Sequence, residues 1–507
     1  MNNNLQNSNL IVRNGFYLAV RMLIVLFLAF FTTRITLQVL GAEKFGIYNI
    51  VGGIIALFAI ISMPIRDSLQ RFFNIEHGKG GDNENVVFFT SVRVVRQMII
   101  LISVLYETIG LFAINYVIKY PENEWLTVNI IFQMTVIANI LNFSFLPYLA
   151  YLFSKENMGV PAMCEIISSI FKLLLLFIIP YIPVDILIPY TSIFLLTNGI
   201  LYFFYKVYCK TKYSECFLYM KYDKTLQKSM LIFSKWSFIE AVAGITIIYV
   251  SNIFINIFGG ILYNTAYGIS KQLQDAVGSF SLNVLKASDP QIMSNTASNN
   301  NIYRDQLVLT TLKVSFLGVA FVSIVFHFDG LWLLKIWLGD VPCYVVEFSN
   351  VALLTVIFIS MNLPLRTLIM ATGKIRSYFM IYGIECTFII LLMFILLKLG
   401  SPVITVMYLI MSSSIIIFIS GIIIVSKVST ISISVIIKNI FLLMMVLFFV
   451  ITTYYITIEF IMFEGKLLHF CISVIASLLS LFISTYFIAL NKVEKEKFNY
   501  ILDKIIK

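Results

Sequence analysis

What most constrains this chain is a succession of uninterrupted apolar stretches, each long enough to cross a bilayer. The first covers roughly 16–39. Thirteen more follow at roughly 47–70, 97–118, 126–148, 160–180, 186–206, 235–258, 263–287, 308–328, 346–371, 378–398, 402–425, 439–458 and 467–490. A helix needs about 20 apolar residues to span a hydrocarbon core ~30 Å thick. Within lipid, only helices or closed barrels satisfy every backbone polar group. The stretches are continuous, not alternating about ten residues at a time, so helices are expected rather than barrel strands. Composition agrees. The chain is 60% apolar and 12% charged, with mean hydropathy +0.93, whereas soluble domains average roughly 45–50% apolar and about 25% charged. The expected fold class is an all-α polytopic membrane protein with about 14 transmembrane helices.

The charges orient those helices. With the N-terminus inside and alternating spans, inside loops and span ends collect 26 Lys/Arg, whereas outside loops collect Lys44, Lys119, Lys335, Lys398 and Lys466. That asymmetry is the positive-inside rule, and it predicts both termini in the cytoplasm. It also explains the net charge of +10 without invoking nucleic acid. The N-terminal MNNNLQNSNL lacks the basic start and cleavage site of a signal peptide, so the first span is expected to be retained. The six cysteines and three histidines are scattered. They suggest neither a disulfide framework nor a zinc site, and no metal or cofactor is expected.

A basic, aromatic inside loop, KVYCKTKYSECFLYMKYDKTLQK, divides the spans into two groups of six. It is expected along the anionic inner leaflet. The expected domains are an N-terminal six-helix lobe (1–206), a cytoplasmic inter-lobe loop (207–234), a C-terminal six-helix lobe (235–426), and two extra helices with a cytoplasmic tail (427–507). The two groups are weakly alike. Each opens with a span ending in a bulky residue and glycine, Leu40-Gly41 and Phe258-Gly259. Each second span ends in a polar, basic stretch, "MPIRDSLQRFF" and "VLKASDPQIM". Such an internal repeat suggests two bundles around a central cleft.

The stretch "LQVLGAEKFGIYNIVGGIIALF", followed by "SLQRFFNIEHGKGG", resembles the opening of bacterial polysaccharide flippases. These are the O-antigen, Wzx-type transporters of the multidrug/oligosaccharidyl-lipid/polysaccharide export superfamily. The local motif covers residues 37–81, and the rest of the likeness is architectural. The resemblance implies a V-shaped, two-lobe transporter in the bacterial inner membrane. It would carry undecaprenyl-pyrophosphate-linked oligosaccharide to the outer leaflet by alternating access. The implied partners are the lipid-linked oligosaccharide, membrane lipids, and the polysaccharide polymerase and ligase machinery.

A substrate with an anionic pyrophosphate and wet sugars requires a water-filled cleft with fixed positive charge. Five basic residues within the spans are the candidates for that charge: Arg21, Arg34, Lys172, Lys271 and Arg366. A mid-span arginine costs roughly 2.5–3.5 kcal/mol on insertion scales, so such residues face a cavity, pair with a partner or snorkel to the surface. Span eight is the most polar. On a helical wheel, Ile269, Leu273, Ala276, Phe280, Val284 and Ala287 form an apolar stripe opposite Ser270, Lys271, Gln274, Asp275, Gly278 and Ser281. Lys271 and Asp275 are four apart and can pair. Arg34 lies about 10 Å below Gly41 by helix rise and either faces the cleft or snorkels outward. Arg21 points roughly 140° away from it at 100° per residue. Lys172, with Glu165 two turns earlier, reads equally as half of a packed pair or as a ligand. The candidate substrate contacts are Lys271, Arg34, Arg21, Arg366, Arg66 and Lys286, the last with Asp289 near the cytoplasmic mouth. No P-loop is present, so an ion gradient is the expected driving force. Asp275, Glu240 and Glu107 are candidate ion carriers.

Three other readings compete. A cation exporter of the same fold calls for an acidic intramembrane site. A membrane enzyme calls for a large outside loop, but the longest here, about 328–345, is mostly apolar. A scaffold subunit calls for no site at all.

Overall fold

The computed structural model describes residues 13–25, 27–29, 31–32, 35–36, 38–41, 44, 47–48, 51, 60–117, 121, 124–216, 222–460, 466–491 and 494–496. Among them there is no strand. Eleven helical segments are long and apolar enough to cross a membrane. Three predicted spans are not among the eleven. The first two include positions outside the described residues. The eighth is an unbroken helix of 37 residues that is simply too polar to count.

The chain divides into two compact units, residues 10–241 and residues 242 onward. In the first, α1 is helical over 13–25 and at every described position from 27 to 41. There follow α2 (Ser62–Gly78), α3 (Glu84–Leu105), α4 (Trp125–Ser144), α5 (Leu146–Ser154), α6 (Gly159–Leu176) and α7 (Leu187–Lys212). A polar knot at the head of α3 ties neighbouring helix ends together. Glu84 is 3% exposed. It accepts hydrogen bonds from Lys155 (2.5 Å) and the Tyr151 hydroxyl (3.1 Å), and it contacts His77 at 2.9 Å. Below it, Phe73, Phe88, Tyr148 and Tyr151 pack edge to face, with centroids 5.3–5.9 Å apart for the pairs within reach, a favoured ring geometry.

The second unit holds α9 (Ile261–Ala297), α10 (Asn301–Leu338), α11 (Val345–Thr372), α12 (Arg376–Lys398), α13 (Thr405–Val428), α14 (Ile433–Phe460) and α15 (Lys466–Ser484). The helix α8 (Lys224–Gly259) runs from one unit into the other. Gly260 alone separates it from α9. Its φ of +80° is one that only glycine adopts without cost. Gly41, at the end of α1, has φ +72°, whereas Gly259, its counterpart in the sequence likeness, is still helical, so the left-handed turn falls one residue later in the second half.

Two loops are shorter than the sequence predicts. The apolar "FDGLWLLKIWL" continues α10 to Leu338, which leaves 339–344 as the connection to α11. The basic loop is helical to Lys212, turns through a 3₁₀ segment at Ser214–Cys216, and re-enters helix at Lys224. Asp223 caps that helix by accepting from Thr225 Oγ1 (2.6 Å) and Thr225 N (2.7 Å). Those bonds hold its carboxyl below the usual range. The last two helices dock on α10. Tyr454 donates to Asp329 (2.6 Å) and stacks on Phe328, and Lys313 binds Glu494 (2.8 Å) and the Ala489 carbonyl (2.9 Å).

Candidate functional site

In the first unit, α6 carries two opposed faces. Met163, Ile167, Ile170 and Leu174 are exposed and apolar, the stripe a helix turns toward lipid. Glu165, Ser169 and Lys172 lie roughly 180° from its centre at 100° per residue. Glu165 accepts a 2.7 Å hydrogen bond from Arg21 of α1. The Arg21 side chain is 16% exposed and that of Glu165 is 47% exposed. Lys172 reaches across to α7, with its Nζ 5.6 Å from the Phe194 ring centre, a cation–π contact. Glu165 thus takes Arg21 as its hydrogen-bonded partner, while Lys172 stays within electrostatic reach of the same carboxylate.

In the second unit, Lys271 donates to Asp275 at 2.7 Å, as their spacing predicts. The lysine side chain is 26% exposed and the aspartate 65%. The rest of the predicted α9 stripe is redistributed. Ser270, Gln274 and Ser281 are buried, whereas Ala276 and Phe280 are exposed. The polar exposed face consists of Thr265, Gly268, Gln272 and Asp275. The buried hydroxyls explain the difference. Ser270 donates to the Tyr267 carbonyl (2.9 Å) and Ser281 to that of Ser315 (3.4 Å), so each is satisfied without water.

In the second unit, candidates expected near the cytoplasmic mouth lie on two neighbouring helices. Thr367 of α11 donates to Asp289 of α9 at 2.7 Å. Lys286 lies one turn before Asp289, and Arg366 adjoins Thr367 with its guanidinium 5.8 Å from the Phe379 ring centre. Pro290 and Pro364 lie inside these two helices, and each removes one rung of backbone hydrogen bonding. In α2, Arg66 sits 3.8 Å from Asp67, and Arg71 lies between the Phe72 and Phe233 rings, 5.1 and 5.0 Å away. Arg34, Gly52 and Gly53 fall outside the described residues.

The acidic candidates occupy different settings. Glu240 lies on α8, just short of the unit boundary. Glu107 lies beyond the end of α3, where the helix widens into π-helical turns at Tyr106–Gly110 and Ala113–Val117. Such turns often mark functional sites. It accepts from Gln133 (3.1 Å) and lines a 560 Å³ groove with Thr108, Leu111, Phe112, Asn115, Tyr116 and Trp125. One buried acid, Glu385 of α12, was not singled out from the sequence. Its signal was a lone carboxylate in the middle of an apolar span.

No protein-family model matches the chain, and no curated protein is similar to it in sequence. Solved structures do match. A multidrug-resistance MATE family transporter of the MOP superfamily, in its outward-facing conformation, superposes with TM-score 0.69 at 11% identity, over 82% of this chain and 96% of that one. A MOP superfamily transporter from Pyrococcus furiosus, described as having a binding pocket of reverse polarity that suggests a different function, gives 0.67 at 13%, over 83% and 96%. A eukaryotic MATE transporter gives 0.67 at 13%, again over 83% and 96%. At these identities the likeness concerns architecture: the chain is an all-α, multi-pass membrane protein with the fold of MATE-type transporters of the MOP superfamily.

Proposed function

We propose that the chain is an ion-coupled exporter of amphipathic organic cations. One observation carries this reading. In both units the ion pair on the polar face keeps its basic member inward and presents its carboxylate: 16% against 47% for Arg21 and Glu165, and 26% against 65% for Lys271 and Asp275. A diffusing ligand therefore meets negative charge first, which attracts cations. Arg21 and Lys271 become the holders of the binding carboxylates rather than the binding groups. The multidrug transporter among the structural neighbours supports the same direction.

The test is drug resistance in cells lacking other exporters. Expression should raise tolerance of cationic dyes. Glu165→Gln and Asp275→Asn should each reduce that gain by about tenfold, equivalent to ~1.4 kcal/mol of binding. Unchanged dye tolerance, with surface polysaccharide lost on gene deletion, would overturn the proposal.

That outcome defines the second reading, a flippase for undecaprenyl-pyrophosphate-linked oligosaccharide. It is favoured by the basic residues of each unit, Arg66 and Arg71 in the first and Lys286 and Arg366 in the second, and by the Pyrococcus furiosus transporter, whose binding pocket is described as having reverse polarity. Lys271 would then contact the pyrophosphate, and a Lys271→Ala/Asp275→Ala double variant would remain inactive. If the pair is only structural, removing both charges restores transport. Either reading places both termini in the cytoplasm, so reporters fused at Gly80, Thr211 and Asn300 should read as inside.

A further inference from the structure

Glu385 sits in the middle of α12 and is 8% exposed. One carboxyl oxygen, Oε2, accepts from Ser413 of α13 at 3.0 Å. The other, Oε1, is buried with no hydrogen-bond partner. The groups around it carry no compensating positive charge. On its own helix they are the Cys386 thiol, Tyr382 and, two turns earlier, Tyr378. From α13 comes the Ser413 hydroxyl, and that helix has no charged residue before Lys427. From α8 comes the backbone at Gly244, where a Cβ would stand 3.1 Å from the Tyr382 hydroxyl, and α8 has no charged residue between Val242 and Gly259. An ionised carboxylate left in this setting, with one bare oxygen and lipid beyond the helices, is strongly disfavoured.

The same seam holds a second orphan acceptor. Asn362 of α11 donates to the Tyr378 hydroxyl at 2.6 Å, while its own Oδ1 is buried without a partner. Tyr378 and Glu385 are seven residues apart and therefore share one face of α12, about 10 Å along the axis. A line of polar groups thus runs from Asn362 through Tyr378 and Tyr382 to Glu385 and Ser413, with acceptors unsatisfied at both ends. Each end thus carries one buried acceptor oxygen with no hydrogen-bond partner.

We propose that Glu385 is a proton-binding site inside the second unit, with the proton on Oε1, and that its loading and release couple the ion gradient to transport. Protonation neutralises the carboxyl and turns the bare oxygen into a donor. Deprotonation requires α11, α12 or α13 to move so that a donor or water reaches Oε1, and this ties proton release to a change of packing. A hard metal cation asks for about six oxygen ligands. Glu385 and Ser413 supply three. Among the described residues, no group of three or more His, Cys, Asp and Glu is placed to hold a metal.

The coupling half of the proposal rests on the transporter reading, but the proton site does not, so the experiment has two arms. Infrared difference spectra of the full-length protein in lipid, stepped in pH, should show a protonated-carboxyl C=O band that bleaches on alkaline steps. Glu385→Gln should abolish it and Glu107→Gln should leave it. Ser413→Ala, which does not depend on the charge change being tolerated, should move it to higher frequency because the carbonyl loses its donor. A band that survives Glu385→Gln, or that Ser413→Ala leaves in place, overturns the site, as does a band that sodium alone abolishes. In liposomes, Glu385→Gln should lose at least tenfold of uptake driven by a pH gradient while keeping exchange at equal pH. If the wild type moves no organic cation, the functional reading fails while the infrared result stands. If uptake in Glu385→Gln still follows the gradient, the coupling role fails.

Discussion

The two carboxylate-presenting ion pairs are built differently. Arg21 and Glu165 are 144 residues apart and join α1 to α6. Lys271 and Asp275 are four apart on one helix. The first pair is a tertiary contact. It exists only while two helices keep their places, and losing either member leaves a charge that the fold had arranged to neutralise. The second is secondary structure and forms wherever α9 is helical. The difference separates a pair that holds the first unit together from a pair that can change partner when a ligand arrives.

Mutation of one partner should expose that contrast most strongly. Arg21→Ala is expected to destabilise the protein by about 2 kcal/mol, less than for a fully buried pair because Glu165 is half exposed. Thermal unfolding in detergent measures it. Glu165→Ala added to Arg21→Ala should restore stability to within about 1 kcal/mol of the wild type, since no unpaired charge then remains. If the double variant is as unstable as the single one, packing by the arginine stem matters more than its charge. Lys271→Ala should cost under about 0.5 kcal/mol, the value of an exposed pair one helical turn apart. A loss as large as that of Arg21→Ala would show that α9 depends on its pair as α1 and α6 do.

How much of this could be read from the sequence follows the same division between local and distant contacts. Apolar length announced the helices, and the i,i+4 spacing announced Lys271–Asp275. The Arg21–Glu165 pair left no pattern, because nothing at Arg21 points to a residue 144 positions on. The helical wheel of α9 failed for a different reason. It sorts residues by polarity, but Ser270 satisfies its hydroxyl on its own backbone and can be buried as readily as an alanine. Glu385 was hidden by its neighbours: one acid scarcely lowers the hydropathy of a long apolar run, and its partner Ser413 is 28 residues distant. The extension of α10 to Leu338 was legible in its apolar content and was read instead as a connection.

Lys313 has a consequence in time. It is 5% exposed within α10, and its carboxylate partner Glu494 lies 181 residues later in the chain. At about 5–20 residues per second of synthesis, the lysine waits roughly 10–35 s before its counter-ion exists. Until then the nascent protein carries a buried lysine without its carboxylate, and synthesis of the segment holding Glu494 completes the contact. A chain stopped after Leu490 never reaches that point, and in a pulse-chase it should be degraded faster than one that includes Glu494; equal lifetimes would mean that the Lys313–Glu494 contact brings no such protection.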